Sequence, residues 1–389
     1  MFKKFNAKIL IFFIFIYKLN SSIINETFPY NNLRNLNFLS NNKKGNNNKK
    51  NLLIGAIVIY SWNTVRNFFI SLIKVGIKNC DFVMFVGNMP QKTIEKIREC
   101  GFTTDDIPKK YLYSKIIIPN YRFKIYEDYL KENKDKYNMV FTADVRDTIF
   151  QKDIFQLYNN YSHKPFFAAF QEDEYIKNDD ANKRWIKFFC GDEALEVAGE
   201  GRIICSGTIL ATVDKFIEFC HIVWEKIEET KGYDYLGEQG ILNCYIYYHK
   251  LFKDCLIETD NHGPVMTLAI AKRENIFLDK DDNMLNYDGK ITCVAHQYDR
   301  MLDITIKFNK KFDDTNLNIN DYVNKNNNNN LNNARKKSKI KNIYLSIIIV
   351  IIIISLILFF CLFIKKSNKT KNNFVKVKIK SSKFGYIKE

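Results

Sequence analysis

The stretch that decides the fold is Met139-Val-Phe-Thr-Ala-Asp144-Val-Arg-Asp147-Thr-Ile-Phe-Gln-Lys-Asp153, an apolar run that ends abruptly in two carboxylates three residues apart. A strand that leaves a sheet at Asp144 and turns at once can direct Asp144 and Asp147 into one crevice, at the carboxyl edge where α/β sheets bind ligands. Two hard oxygen donors there suit Mg²⁺ or Mn²⁺ holding a diphosphate. The alternative is a strand-end turn in which Arg146 and the aspartates form surface ion pairs.

Apolar strands and helices alternate around this stretch. The pattern predicts strands over residues 52–59, 82–87 and 115–118, helices over 63–75, 93–99 and 121–132, and a later inner strand over 166–170. Continuous apolar strands alternating with helices indicate a parallel sheet covered on both faces. The sequence therefore predicts one α/β domain over residues 51–312.

The formal charge of +16 lies at the two ends of the chain. Residues 1–50 contain nine Lys/Arg and one Glu, and residues 335–389 contain 14 Lys/Arg and one Glu, which leaves residues 51–334 at −5. A nucleic-acid groove needs its basic residues on the folded face. The charge pattern thus excludes nucleic acid as a partner and points to membrane targeting.

Two apolar segments support this interpretation. Residues 9–17 follow three lysines and precede small polar residues, which predicts a signal peptide over 1–22 or, alternatively, a short signal anchor. Residues 343–364 form an almost unbroken apolar run, long enough to cross a bilayer of ~30 Å, and predict a transmembrane helix. The flanking Asn/Lys-rich linkers are 23–50 and 313–342, and the basic tail 365–389 is expected in the cytosol.

Cysteine usage is compatible with an oxidising compartment. The sequence has nine cysteines, of which Cys361 falls in the predicted membrane span. The other eight permit up to four disulfides, although the sequence does not fix their pairing. None of them shows C-x-x-C spacing, so a zinc site is not expected.

The order of these elements, with the carboxylate pair after the fourth strand, resembles the nucleotide-diphospho-sugar-binding fold of GT-A glycosyltransferases. The resemblance covers roughly residues 52–300 and extends through five motifs, Asn120-Tyr-Arg-Phe123, Asp144-Val-Arg-Asp-Thr-Ile-Phe-Gln151, Ile204-Cys-Ser-Gly-Thr208, Gly237-Glu-Gln-Gly-Ile-Leu-Asn243 and Val294-Ala-His-Gln-Tyr-Asp299. It implies a Rossmann-like, mostly parallel central sheet with helices on both faces, followed here by the transmembrane helix.

The resemblance also implies a metal site. Asp144 and Asp147 correspond to the D-x-D-type metal motif of the family, here stretched to D-x-x-D. His296 corresponds to a late histidine that completes the metal sphere, and imidazole is acceptable to Mn²⁺ beside carboxylates. The expected cofactor is Mn²⁺ or Mg²⁺. Without the resemblance, His296 is equally well interpreted as a polar loop histidine.

The remaining candidates are residues that could contact the substrate or act as the base. The resemblance implies contacts with the nucleotide or sugar from Asn120, Arg122, Ser206, Gly207 and Gln239, and Arg146 is a further substrate-binding candidate. Glu238, which the resemblance places near the transferred sugar or acceptor, and Asp260 are the candidate catalytic carboxylates. Arg122 could equally form an ordinary ion pair with its helix, and the Glu238–Gln239 pair could cap the helix that follows. Glu172 and Asp173 are further conceivable bases, so a retaining and an inverting course both stay open.

The implied function is a metal-dependent glycosyltransferase that moves a sugar from a nucleotide-diphosphate sugar to an acceptor hydroxyl on a glycan, glycolipid or protein. The predicted targeting segments place its domain in the lumen of the endoplasmic reticulum or Golgi, held to the membrane by the C-terminal helix. One alternative is a non-catalytic GT-A-like membrane protein that binds glycans or partners. Another is a metal-dependent hydrolase or sugar-phosphate enzyme.

Overall fold

The computed structural model describes residues 49–112, 117–161, 164–233 and 236–314. The predicted signal peptide, transmembrane helix and basic tail lie outside these residues, as do nearly all of the two linkers. Within the described ranges, no helix is both long enough and apolar enough to span a membrane.

A seven-stranded central sheet forms the middle of the described domain. Its strands are β1 (Lys50–Val58), β2 (Cys80–Gly87), β3 (Thr103–Asp106), β4 (Tyr137–Ala143), β6 (Phe167–Tyr175), β7 (Arg202–Thr212) and β8 (Leu256–Thr259). They are ordered β3-β2-β1-β4-β7-β6-β8. Neighbours from β3 to β4 are parallel, as are β6 and β8, whereas β7 is antiparallel to both β4 and β6. The prediction of a mostly parallel sheet in a mixed α/β domain is confirmed.

Helices cover both faces of this sheet. They are α1 (Trp62–Val75), α2 (Gln91–Glu99), α3 (Lys109–Leu112), α4 (Ile118–Asn133), α5 (Ile154–Tyr158), α6 (Asp180–Gly199), α7 (Val213–Thr230), α8 (Glu238–Tyr247) and α9 (Leu302–Lys311). Side chains of α1, α2, α5 and α9 share one apolar cluster with the sheet, and those of α4, α7 and α8 share the other. Adjacent residues of β1 take opposite sides, Leu53 in the first cluster and Leu52 and Ile54 in the second. This two-sided burial explains why β1 is a continuous apolar run.

The third strand is not where the apolar pattern placed it. The prediction of a strand over 115–118 is wrong at its end, because Ile118 begins α4 and Pro119 occupies the first turn of that helix. Proline is favoured in a first turn since its fixed φ suits a helix and its missing N–H is not needed there. The third strand is instead β3, whose four residues are polar and largely exposed at the sheet edge.

The described residues contain one disulfide, Cys190–Cys244, which joins α6 to α8. One disulfide is compatible with the upper limit of four disulfides that the cysteine count permits. The other described cysteines are free thiols, namely Cys80, Cys100, Cys205, Cys220, Cys255 and Cys293. The bridge connects the helix that begins at Glu238 to its neighbour on the same side of the domain.

A small three-stranded sheet brings the late part of the chain to the end of β4. It consists of β5 (Thr148–Phe150), β12 (Val294–His296) and β9 (Val265–Thr267), in the order β5-β12-β9. In its register His296 is paired with Thr148, the residue directly after Asp147. A remaining hairpin is formed by β10 (Phe277–Leu278) and β11 (Met284–Leu285).

Candidate metal and active site

Asp144, Asp147 and His296 converge just beyond the carboxyl end of β4. The His296 Nε2 atom lies 3.6 Å from Asp144 Oδ2 and 3.7 Å from Asp147 Oδ1. One ligand atom from each of the three residues falls within 4.8 Å of the others. His296 lies about 150 positions after the two aspartates in the sequence, yet the fold brings all three residues into one cluster.

Two atoms of this cluster are buried without a hydrogen-bond partner, His296 Nε2 and Asp147 Oδ1. His296 is fully buried and Asp147 is 4% exposed, whereas Asp144 is partly exposed. A buried polar atom left without a partner costs about 1–3 kcal/mol, so folded proteins rarely retain one. A divalent cation between these atoms would satisfy both of them, and two carboxylates with one imidazole suit Mn²⁺.

The electrostatics of the cluster favour positive charge at its centre. Burial raises the pKa of Asp147, and the neighbouring Asp144 adds to this rise. Burial by itself would lower the pKa of His296, but Cys205 and the two carboxylates raise it well above its ordinary value. The two carboxylates thus attract a proton to the imidazole, and a bound cation would supply the same positive charge.

Gly207 provides the space beside the cluster. A Cβ atom at this position would lie 2.7 Å from His296 Nε2 and 2.8 Å from Asp144 Oδ2, closer than real Cβ contacts allow. The Gly207 carbonyl also accepts a hydrogen bond from Asp144 N, at 2.8 Å. The resemblance implied a substrate contact for Gly207, and the structure places it against the side chains of His296 and Asp144.

Arg122 forms an ion pair with Asp144, and the Arg122 side chain is 9% exposed. One guanidinium nitrogen is paired with Asp144, and the other lies 3.4 Å from both Glu238 Oε1 and the Ser206 carbonyl. Burial opposes the ionisation of Asp144, but Arg122 and His296 outweigh it and hold its pKa below the ordinary range. In these contacts Arg122 is bound to protein carboxylates, so it orients Asp144 and Glu238.

The N-terminus of α8 is fixed to β7 by side chains of both elements. The Ser206 hydroxyl lies 3.4 Å from Glu238 Oε1, and Ser206 N donates to Gln239 Oε1 at 3.2 Å. Asn243 donates to the Ile204 carbonyl and accepts from the Ile204 N–H, both at 2.8 Å. These bonds hold Glu238 and Gln239 close to the Asp144–Asp147–His296 cluster.

Three other candidates lie in different settings. Arg146 bridges Asp147 Oδ2 at 3.0 Å and Asp299 Oδ2 at 3.2 Å, which fixes the orientation of Asp147. Asn120 donates to the Gly232 carbonyl at 3.2 Å, on the loop that precedes α8. The Asp260 carboxyl accepts from the backbone of its own turn, and no described contact joins it to the cluster.

Two neighbours of His296 could not be identified from the sequence alone. Cys205 Sγ lies 3.5 Å from His296 Nδ1, on the side of the ring away from the carboxylates. Glu172, named above only as one of several conceivable bases, is 2% exposed and within hydrogen-bonding reach of Cys205. Burial raises the pKa of Glu172 to about 7. The order of the residues along the chain carries no signal for either contact.

No protein-family model matches the chain. No curated protein matches it in sequence. Among solved structures, the galactosyltransferase LgtC in complex with donor and acceptor sugar analogues is similar, with 13% sequence identity over 67% of this chain and 95% of that one and a TM-score of 0.43. An active-site mutant of LgtC gives 12% identity, 67% and 94% coverage, and a TM-score of 0.43.

Proposed function

We propose that the protein is a metal-dependent glycosyltransferase, which transfers a sugar from a nucleotide-diphosphate sugar to an acceptor hydroxyl on a glycan, glycolipid or protein. The observation that carries this proposal is the buried Asp144–Asp147–His296 cluster, in which two ligand atoms have no partner. It lies at the carboxyl edge of parallel strands, where α/β proteins bind nucleotides. This combination is what a cation-bridged diphosphate requires.

The three cluster residues would hold Mn²⁺ or Mg²⁺, with Mn²⁺ favoured because one donor is an imidazole. When bound, the cation acts as a Lewis acid that stabilises the negative charge left on the departing diphosphate. Arg122 keeps Asp144 ionised, and Arg146 directs the free Oδ1 atom of Asp147 towards the cluster. These arginines orient the carboxylates before the ion binds, which lowers the reorganisation needed on binding.

Glu238 is the stronger candidate for contact with the acceptor. It is 8% exposed at the first position of α8 and is joined through Arg122 to Asp144. Burial raises its pKa, although Arg122 opposes the rise. A carboxylate in this setting can accept the proton of an attacking hydroxyl in an inverting course, or position the sugar in a retaining one. Asp260 has no comparable link to the cluster.

We also propose that the domain works in the lumen of the secretory pathway. The Cys190–Cys244 disulfide supports this location, because structural disulfides persist in oxidising compartments. The signal-like N-terminus and the apolar run over 343–364 support the same topology from the sequence. The acceptor would then be a secretory glycan, glycolipid or protein.

The test is nucleotide release and sugar transfer by the purified full-length chain, measured with a panel of nucleotide-sugars, a mixed acceptor pool and Mn²⁺. Activity should disappear with EDTA, and Asp144→Asn or Asp147→Asn should lower it at least ~10²-fold, as expected for losing a principal electrostatic contact. The exposed Asp281→Asn variant is the control and should keep wild-type rates. Asp147→Asn keeps the shape of a buried side chain whose pKa is raised, so thermal unfolding of the apo protein should change little. Asp144→Asn removes one carboxylate partner of the buried Arg122 and should lower the unfolding temperature.

Three outcomes separate the alternatives. Nucleotide release without any sugar on an acceptor indicates the hydrolase. Binding of glycans with no turnover of any nucleotide-sugar indicates the non-catalytic protein. EDTA-resistant transfer, or near-normal rates in both Asp→Asn variants, would show that these residues are only strand-end ion pairs.

A further inference from the structure

The two nitrogens of His296 face different groups. Nε2 points at the carboxylates of the cluster and has no hydrogen-bond partner. Nδ1 faces the thiol of Cys205, with 3.5 Å between Nδ1 and Sγ. Any cation held by His296 is therefore bound through Nε2. A neutral imidazole that binds a cation through Nε2 must carry its proton on Nδ1.

The Nδ1 proton needs an acceptor, because His296 is completely buried and water does not reach it. Cys205 Sγ is the atom in position to accept it. Sulfur can serve as the acceptor only if the proton of the thiol points elsewhere, since a thiol donating to Nδ1 would place the imidazole proton on Nε2. The direction of the thiol proton thus determines which nitrogen is available to the cation.

Glu172 is the group that can direct this proton. Its carboxyl group is 2% exposed and within hydrogen-bonding reach of Cys205, which is itself 1% exposed. In its ionised form the Glu172 carboxylate accepts hydrogen bonds and has none to donate, so it accepts the hydrogen bond of the Cys205 thiol. The sulfur is then left to accept from Nδ1–H. Glu172 thus contacts Cys205, Cys205 contacts Nδ1 of His296, and Nε2 of His296 faces the two aspartates of the cluster.

We infer that Cys205, oriented by Glu172, is a positioning residue that holds His296 as an Nδ1-protonated ligand with Nε2 free for the cation. In many metal sites a carboxylate accepts directly from the ligating histidine and fixes its tautomer. Here a thiol is interposed between the carboxylate and the imidazole. The inference rests on the proposed metal site, but it concerns cation binding and not sugar transfer.

The experiment measures Mn²⁺ binding to the purified full-length chain by electron paramagnetic resonance of free Mn²⁺, with no nucleotide-sugar or acceptor present. Cys205→Ala should weaken binding about 10–100-fold, the usual cost of losing such a supporting group. Cys205→Ser keeps one donor and one acceptor and should lose less. Cys100→Ala, which removes another buried thiol, at the C-terminal end of α2, is the matched control and should bind as the wild type does.

A double-mutant cycle separates positioning from a general structural effect. If Cys205 acts through His296, adding Cys205→Ala to His296→Ala should cause no further loss of Mn²⁺ affinity. An equal loss in both backgrounds, or wild-type affinity in folded Cys205→Ala, would overturn the inference. A wild-type chain that does not bind Mn²⁺ would overturn it as well.

Glu172→Leu keeps the test decisive if Cys205→Ala does not fold. Leucine offers no acceptor for the thiol proton, which can then point at Nδ1, so Mn²⁺ affinity should fall about 10-fold. This loss should also vanish in the His296→Ala background, and unchanged affinity in folded Glu172→Leu would contradict the inference. Mn²⁺ binding that follows the expected pattern in a chain without transferase activity would remove the proposed function and leave the inference intact.

Discussion

Replacement of Gly207 by alanine tests the cluster with the smallest possible change. The added Cβ would lie 2.7 Å from His296 Nε2 and 2.8 Å from Asp144 Oδ2. Ordinary contacts of a Cβ begin at about 3.4 Å, so both ligand atoms must retreat by roughly 0.6–0.7 Å. The backbone of Gly207 is not in the left-handed region, and the effect therefore comes from space and not from backbone strain.

The displacement falls on the atoms that the proposed cation needs. A misplacement of about 1 Å at a reacting group can cost 10²-fold in rate, and a disturbed ligand shell costs about 10–100-fold in metal affinity. We expect Gly207→Ala to lose roughly that much Mn²⁺ affinity and transferase activity, while circular dichroism and cooperative thermal unfolding still show a folded domain. Mn²⁺ binding followed by electron paramagnetic resonance measures the affinity directly.

The control is Gly199→Ala at the end of α6, where an added Cβ would meet Lys177 Cβ at an ordinary 3.7 Å. This variant should bind Mn²⁺ as the wild type does. Wild-type Mn²⁺ affinity in folded Gly207→Ala would refute the proposed cation position. If Gly207→Ala does not fold while Gly199→Ala does, Gly207 is required for packing. The Asp144→Asn and Asp147→Asn variants then test the proposed cation position.

Two further predictions concern the disulfide and the topology. Cys244→Ala should lower the free energy of unfolding by about 2–4 kcal/mol in urea, because the Cys190–Cys244 bridge closes a loop of 54 residues in the unfolded chain; an unchanged urea midpoint under non-reducing conditions would contradict this. In sealed microsomes, added protease should digest the tail after Lys365 and leave the body intact. A protected tail with a digested body would reverse the proposed topology.

The apolar strands could be predicted because burial on two faces leaves a strong sequence signal. The predicted strand over 82–87 lies within β2, and the predicted helix over 63–75 matches α1 to within one residue. The polar edge strand β3 lacks that signal, because an edge strand with exposed side chains has no continuous apolar run. Its place in the sheet follows from pairing with β2, which is a tertiary property.

Polar contacts just past the apolar pattern show the same limit. The sequence predicts that the domain ends at residue 312, where the apolar pattern gives way to Asn and Asp. In the structure Asp314 still accepts from Trp62 Nε1 at 2.7 Å and from Lys96 Nζ at 2.8 Å. A polar residue that contacts the domain through hydrogen bonds has no apolar period to reveal it.

For the site, motif order predicted which residues meet, and strand alternation explains what the motif Ile204-Cys-Ser-Gly-Thr208 does. Cys205 and Gly207 are two residues apart on β7, so both face the same side of the sheet, where Cys205 contacts His296 and Gly207 leaves room for its Nε2 atom. Ser206 points to the other side and contacts Glu238. One short strand segment therefore supports the proposed cation ligand on one face and the proposed acceptor-side carboxylate on the other. A one-residue shift in its register would remove both supports at once.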